Sequence, residues 1–146
     1  MLLIYNMKYS IALNSRDRVN GGLANDCEFP FDFGVFKQAE YEMTFTLVSD
    51  PADLSSTAKS CSIFSNTGGS NVYTTSNVNS ANTTQFIGSV NAGGLLGLTA
   101  STTDNGGIYM TSPPREQTIK IRVLDGTGTP FTTCPEWIMM MTFTKL

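Results

Sequence analysis

The stretch AEYEMTFTLVS, residues 39–49, shows the pattern that decides the fold. Apolar side chains occupy every second position: Tyr41, Met43, Phe45 and Leu47. Acidic and threonine side chains fill the positions between them: Glu40, Glu42, Thr44 and Thr46. Because successive side chains of a β-strand point to opposite faces, this period of two predicts a strand with one buried and one exposed face.

The same alternation recurs along most of the chain. We expect eight strands, at residues 2–13, 27–33, 39–49, 60–65, 83–90, 107–112, 118–124 and 136–145. Turn signals such as NGG at 20–22 and DNGG at 104–107 separate them, and only residues 50–59 offer a turn of helix. The pattern predicts an all-β fold, and an eight-stranded antiparallel single jelly-roll sandwich fits the strand count.

The segment CEFPFDF, residues 27–33, combines clean alternation with a proline. One face carries apolar residues: Cys27, Phe29, Phe31 and Phe33. Pro30 has no N–H group to donate to a neighbouring strand, so we expect this strand at a sheet edge or at a bulge.

The last segment, EWIMMMTFTK at 136–145, differs from the others because both of its faces are apolar. Trp137, Met139 and Met141 alternate with Ile138 and Met140. This strand is therefore expected either to be covered on both sides or to take part in a subunit contact.

The length of 146 residues fits one domain over residues 1–146. Fourteen of the eighteen residues at 66–83 are Asn, Ser, Thr or Gly, which predicts a polar surface loop within that domain. No apolar run reaches the 18 or so residues of a transmembrane helix, and no signal peptide is recognisable. We therefore expect a chain made in the cytoplasm that does not span a membrane.

The composition argues against catalysis and against nucleic-acid binding. With no histidine, the chain lacks the commonest general base and metal ligand, so we expect no enzyme, no catalytic residues, no cofactor and no metal. A paired-carboxylate hydrolase using Glu40 and Glu42 is the remaining enzymatic alternative.

The net charge of −3 and the scattered basic residues do not fit a nucleic-acid partner. The three cysteines, Cys27, Cys61 and Cys134, are expected to be reduced thiols.

Several motifs together resemble the small single jelly-roll capsid proteins of large icosahedral double-stranded DNA viruses. YSIALNSRDRVNGG (9–22), followed by CEFPFDF, is similar to that family's first strand, its Asn-Ser-x-x-Arg turn and its alternating Phe strand. GGLLGLT (93–99) resembles its Leu-Leu-Gly-aromatic step, with Leu98 in place of the usual aromatic residue. IKIRVLDGTGTPF (119–131) and EWIMMMTF (136–143) resemble its last hairpin, which leads to a Trp-containing strand.

This resemblance implies a virion building block. Members of the family sit at fivefold vertices as penton pentamers, or beneath the major capsid lattice as minor proteins. The partners would be other copies of the chain and neighbouring capsid proteins. Four residues are candidates for the subunit interface: Arg16, Arg18, Ile138 and Met140.

The role of the turn at 14–22 has alternatives. Arg18 is expected to pair with Asp17, Asp26 or a neighbouring subunit, or else the turn is merely solvated. A different class of function is a lectin-like or receptor-binding sandwich that uses the 66–83 loop. Its binding residues would be Tyr73, Asn71 and Asn77.

Overall fold

The structure is a computed structural model that describes residues 7–49, 60–67, 85–91, 99–101, 108–110, 113–125 and 134–146. These residues form nine strands: β1 (Lys8–Asn14), β2 (Asp26–Pro30), β3 (Tyr41–Ser49), β4 (Ser60–Ser65), β5 (Gln85–Asn91), β6 (Thr99–Ser101), β7 (Ile108–Met110), β8 (Thr118–Asp125) and β9 (Trp137–Lys145). They contain no α-helix, only short 3-10 helices at Ser15–Asp17 and Phe33–Val35. Every strand pair is antiparallel, which confirms the predicted all-β class.

Strands β3 and β9 pair over their full lengths, from Tyr41 opposite Lys145 to Ser49 opposite Trp137. Their inward side chains form the centre of the core: Tyr41, Met43, Phe45, Leu47, Trp137, Met139, Met141 and Phe143. These residues are the ones that the alternation places on the buried face. The prediction for the inner faces of both strands is therefore confirmed.

The strands are hydrogen-bonded in the order β1-β9-β3-β6-β5-β4-β8-β2, and β7 pairs with β3 beside β6. The pairing is nested along the chain. The first strand pairs with the last, β2 pairs with β8, and β3 pairs with β6 and β7, while β4 and β5 form the innermost pair. Among the described strands, those from the two ends of the chain therefore pair with each other, and those from its middle pair with each other.

Contacts between distant strands show that the sheet folds over. β9 and β2 are six strand positions apart in the order, which would separate them by about 29 Å in a flat sheet. The ring centroids of Trp137 on β9 and Phe29 on β2 are nevertheless 6.0 Å apart. Gly88 on β5 likewise packs against the ring of Phe45 on β3. The two halves of the strand order therefore face each other across one core.

The β2 segment is partly as expected. Among the described strands it lies at the end of the strand order, which agrees with the edge predicted from Pro30. The predicted extent of 27–33 is wrong, because the strand ends at Pro30 and Phe33 begins a 3-10 helix. The Asp32 side chain accepts a hydrogen bond from the Gly34 N–H group and caps this helix, which stops the strand.

The number and limits of the other strands also differ from expectation. The described residues form nine strands rather than eight, because β6 adds a short strand next to β3. The helical turn expected at 50–59 lies outside the described residues, as do residues 68–83 of the polar loop. Cys27, Cys61 and Cys134 form no disulfide in the structure, in agreement with the expected reduced thiols.

Candidate subunit interface

Strands β1, β9 and β3 lie side by side and place their even-numbered residues on the side away from the core. We call these twelve residues the outer face. The register aligns them in four rows: Lys8, Thr144 and Glu42; Ser10, Thr142 and Thr44; Ala12, Met140 and Thr46; Asn14, Ile138 and Val48. Charged residues occur only in the first row, and large apolar residues occur only in the last two.

The apolar end of the outer face is well exposed. Ile138 is 53% exposed, Met140 45% and Val48 57%. Within the described part of the chain nothing covers these side chains, so the second apolar face of β9 does lie at the protein surface. Large apolar side chains grouped on a surface are typical of interaction sites. Val48 was not among the interface candidates from the sequence, although the alternation of residues 39–49 places it on the exposed face of its strand.

The turn that follows β1 closes this end of the face. Asn14 caps the 3-10 helix by accepting a hydrogen bond from the Arg16 N–H group at 3.1 Å. Ser15 is fully buried, and its hydroxyl donates to the Glu136 carboxylate. The same hydroxyl oxygen accepts a hydrogen bond from the Trp137 N–H group at 2.8 Å. The turn is thereby attached to the start of β9.

Arg18 completes this attachment. Its Nη1 atom donates to both carboxylate oxygens of Glu136 at 3.0 Å and to the Ser15 carbonyl at 2.7 Å. Its Nε atom donates to the Gly22 carbonyl at 2.7 Å. Arg18 therefore pairs with Glu136 and not with Asp17 or Asp26, the intramolecular partners expected from the sequence. A partner 118 residues away gives no local signal in the sequence.

The loop between Arg18 and β2 is held by further hydrogen bonds. The Asn20 side-chain amide donates to the Asp26 carbonyl at 2.8 Å, and the Val19 N–H group donates to the Glu28 carbonyl at 3.0 Å. Gly21 has a φ of 65°, a left-handed conformation that favours glycine. The Trp137 indole donates to the Ala24 carbonyl at 2.8 Å. Most polar groups of the turn at 14–22 thus hold β1, β2 and β9 together.

Glu136 is the ionisable centre of this network. Burial alone would raise the pKa of its carboxyl, but the hydrogen bonds from Ser15 and Arg18 outweigh burial and hold the pKa below its ordinary value. The positive charge of Arg16 acts in the same direction, which places Arg16 near this carboxylate.

The four predicted interface residues are only partly brought together. Ile138 and Met140 lie on the outer face, and Arg16 is exposed at its apolar end, where Asn14 pairs with Ile138. Arg18 instead turns toward Glu136, and its side chain is 17% exposed. A role for these residues in subunit contact stays a prediction.

The other chemical candidates are not assembled into a site in the described residues. Glu42 lies on β3, and Glu40 directly precedes that strand. Burial raises the pKa of the Cys27 thiol to about 12 and raises that of Cys134 as well. The described residues contain no group of three or more Cys, Asp or Glu side chains placed to hold a metal ion. Tyr73, Asn71 and Asn77 lie outside the described residues.

Among the described residues, no helix has the length and apolar character needed to cross a membrane. No protein-family model matches the sequence, and no curated protein matches it.

Proposed function

We propose that this chain is a structural virion protein, a single jelly-roll subunit that forms penton pentamers at the fivefold vertices of a capsid. It acts by assembly rather than by catalysis and requires no cofactor or metal. It is made in the host cytoplasm and ends in the virion.

The strand order is the observation that carries this proposal. It divides into β1-β9-β3-β6 and β5-β4-β8-β2, with four antiparallel strands in each half. A jelly roll has eight strands in two such sheets. The pairing of the first strand with the last, and of the second with the second-to-last, supports the same architecture. The ninth strand, β7, lies outside these two groups of four and pairs with β3 beside β6.

The sequence motifs give this architecture a role. The Asn14-to-Gly22 turn and the Phe-rich segment after it resemble those of single jelly-roll capsid proteins. The turn is fixed to β9 through Arg18 and Glu136, which gives the subunit a rigid corner. Next to this corner Ile138 and Met140 are exposed, and a building block that contacts its neighbours would bury such side chains.

The mass of the protein in solution tests the proposal. Light scattering on a sizing column should give five times the 15.8 kDa of one chain. A monomer would contradict the penton role and would favour a minor capsid protein that needs its lattice partners, or a binding module. A screen of sugars by melting temperature separates these two, because a ligand that binds only the folded state stabilises it.

A further inference from the structure

The outer face is complementary to itself. Lys8 and Glu42 lie in the same row, on the two strands that flank β9. The large apolar residues lie two rows or more away from these charges, and two of the three, Ile138 and Met140, are on β9. One end of the face is therefore apolar and centred on its middle strand, β9. At the other end, a positive charge lies on one flanking strand and a negative charge on the other.

Consider a two-fold axis that lies in the plane of contact, parallel to β9. This axis places β9 over β9 of a second copy and β1 over its β3, with every row over its own counterpart. Lys8 then meets Glu42 of the second copy, and this pair occurs twice. Ile138 and Met140 meet the same residues of the second copy. Two sheets that pack face to face in the aligned arrangement keep their strand directions within about 30° of each other.

We propose that the outer face binds the outer face of a second copy of this chain through this two-fold contact. The proposal goes beyond the capsid role and does not depend on it. A self-matching patch joins two copies, whereas a ring of five requires head-to-tail contact between two different patches. A pentamer would therefore form its ring through other surfaces and use the outer face to contact a further assembly.

The outer face is small for a protein interface. Twelve residues per copy are fewer than the 20–30 or so of a standard interface, so we expect a dissociation constant of about 10–100 µM. The face is also partly polar, with hydroxyl groups in its second row. The hydroxyl oxygens of Ser10 and Thr142 lie 3.3 Å apart there. Association should therefore depend on protein concentration over the micromolar range.

Reversing the charges that meet across the two-fold axis tests the contact. We would measure the weight-average mass by sedimentation from about 5 to 300 µM, a range that brackets the expected dissociation constant. The variants are Lys8→Glu, Glu42→Lys, the double variant with both changes, and an equimolar mixture of the two single variants. Lys8 is exposed and Glu42 is half-buried, and circular dichroism checks that each variant is folded.

The two-fold geometry predicts a specific set of results. The mass of the wild-type protein rises with concentration, and each single variant weakens this association by about tenfold or more, because two like-charge pairs replace two attractive pairs. The double variant associates like the wild type. The mixture also recovers association, since each Lys8→Glu chain then faces a Glu42→Lys chain. An interaction between Lys8 and Glu42 within one chain would not be recovered by mixing.

Two results would overturn the proposal. One is a wild-type mass that is constant across the range. The other is a rise in mass that the single variants share with the wild type, or that their mixture does not recover. The mass at the lowest concentration reports separately on the pentamer. A monomer there, with charge-dependent pairing above it, would contradict the penton role and support this contact.

Discussion

The Nη1 atom of Arg18 donates to both carboxylate oxygens of Glu136, at 3.0 Å each, although the two residues are 118 positions apart. Glu136 precedes β9, and Arg18 lies in the turn between β1 and β2. The pair therefore joins the two ends of the described chain beside the outer face. It is partly buried, with 17% of the Arg18 side chain and 29% of the Glu136 side chain exposed.

Replacing Glu136 by Gln should destabilise the protein. The change removes the charge that Arg18 pairs with, and it weakens the hydrogen bond from the buried Ser15 hydroxyl. We expect a loss of about 1–3 kcal/mol in the free energy of unfolding, measured in urea. Glu40→Gln, at an exposed position, is the matched control and should change stability by less than about 0.5 kcal/mol. Equal effects of the two substitutions would show that the network contributes nothing to stability.

The contribution of Glu136 should depend on pH. The folded state lowers the pKa of its carboxyl, so the unfolded state binds a proton more readily. Its stabilising effect is therefore complete above the unfolded pKa of about 4.3 and is lost as the pH falls through the lower folded pKa. The stability difference between wild type and Glu136→Gln should be constant at neutral pH and shrink in acid. A difference that grows in acid would have the wrong sign for this network.

Gly88 is required by the packing of the two halves of the fold. A Cβ atom at this position would lie 2.7 Å from Cζ of Phe45, whose ring is buried in the core. Gly88→Ala should therefore cost about 1–3 kcal/mol, measured by urea unfolding. Gly22→Ala is the control, because its Cβ would make an ordinary contact of 3.5 Å with the Asp26 carbonyl.

A smaller side chain at position 45 should relieve this clash. We expect the cost of Gly88→Ala to be smaller in a Phe45→Leu background than in the wild type. Equal costs in the two backgrounds would show that Phe45 is not the group that excludes a side chain at Gly88.

Cys27 should be unreactive in the folded protein. It is fully buried, and with a pKa of about 12 its thiolate is present in about one molecule in ten thousand at pH 8. Labelling with iodoacetamide, followed by peptide mass spectrometry, should modify Cys27 only after urea is added. Rapid labelling of Cys27 in the native protein would contradict the burial of this strand.

Local patterns account for the parts of the fold that the sequence predicts well. The alternation in residues 39–49 and 136–145 places the buried residues of β3 and β9 correctly, because a period of two is a property of the strand itself. Pro30 marks the edge of the sheet for an equally local reason, its missing N–H group. Exposure of Ile138 and Met140 follows from the same alternation.

Long-range and very short features are the parts that the sequence does not predict. The pairing of Arg18 with Glu136 depends on the order of strands, which brings together residues from opposite ends of the chain. β6 has three residues, too few for a period to be seen. The end of β2 depends on the Asp32 side chain, which competes with the strand by capping the 3-10 helix at Phe33.

The measurement that tests the central claim most directly is the mass of the purified protein at low micromolar concentration, by light scattering on a sizing column. A structural subunit of a capsid vertex should have a mass of five times 15.8 kDa. A stable 15.8 kDa monomer under the same conditions would contradict the penton assignment.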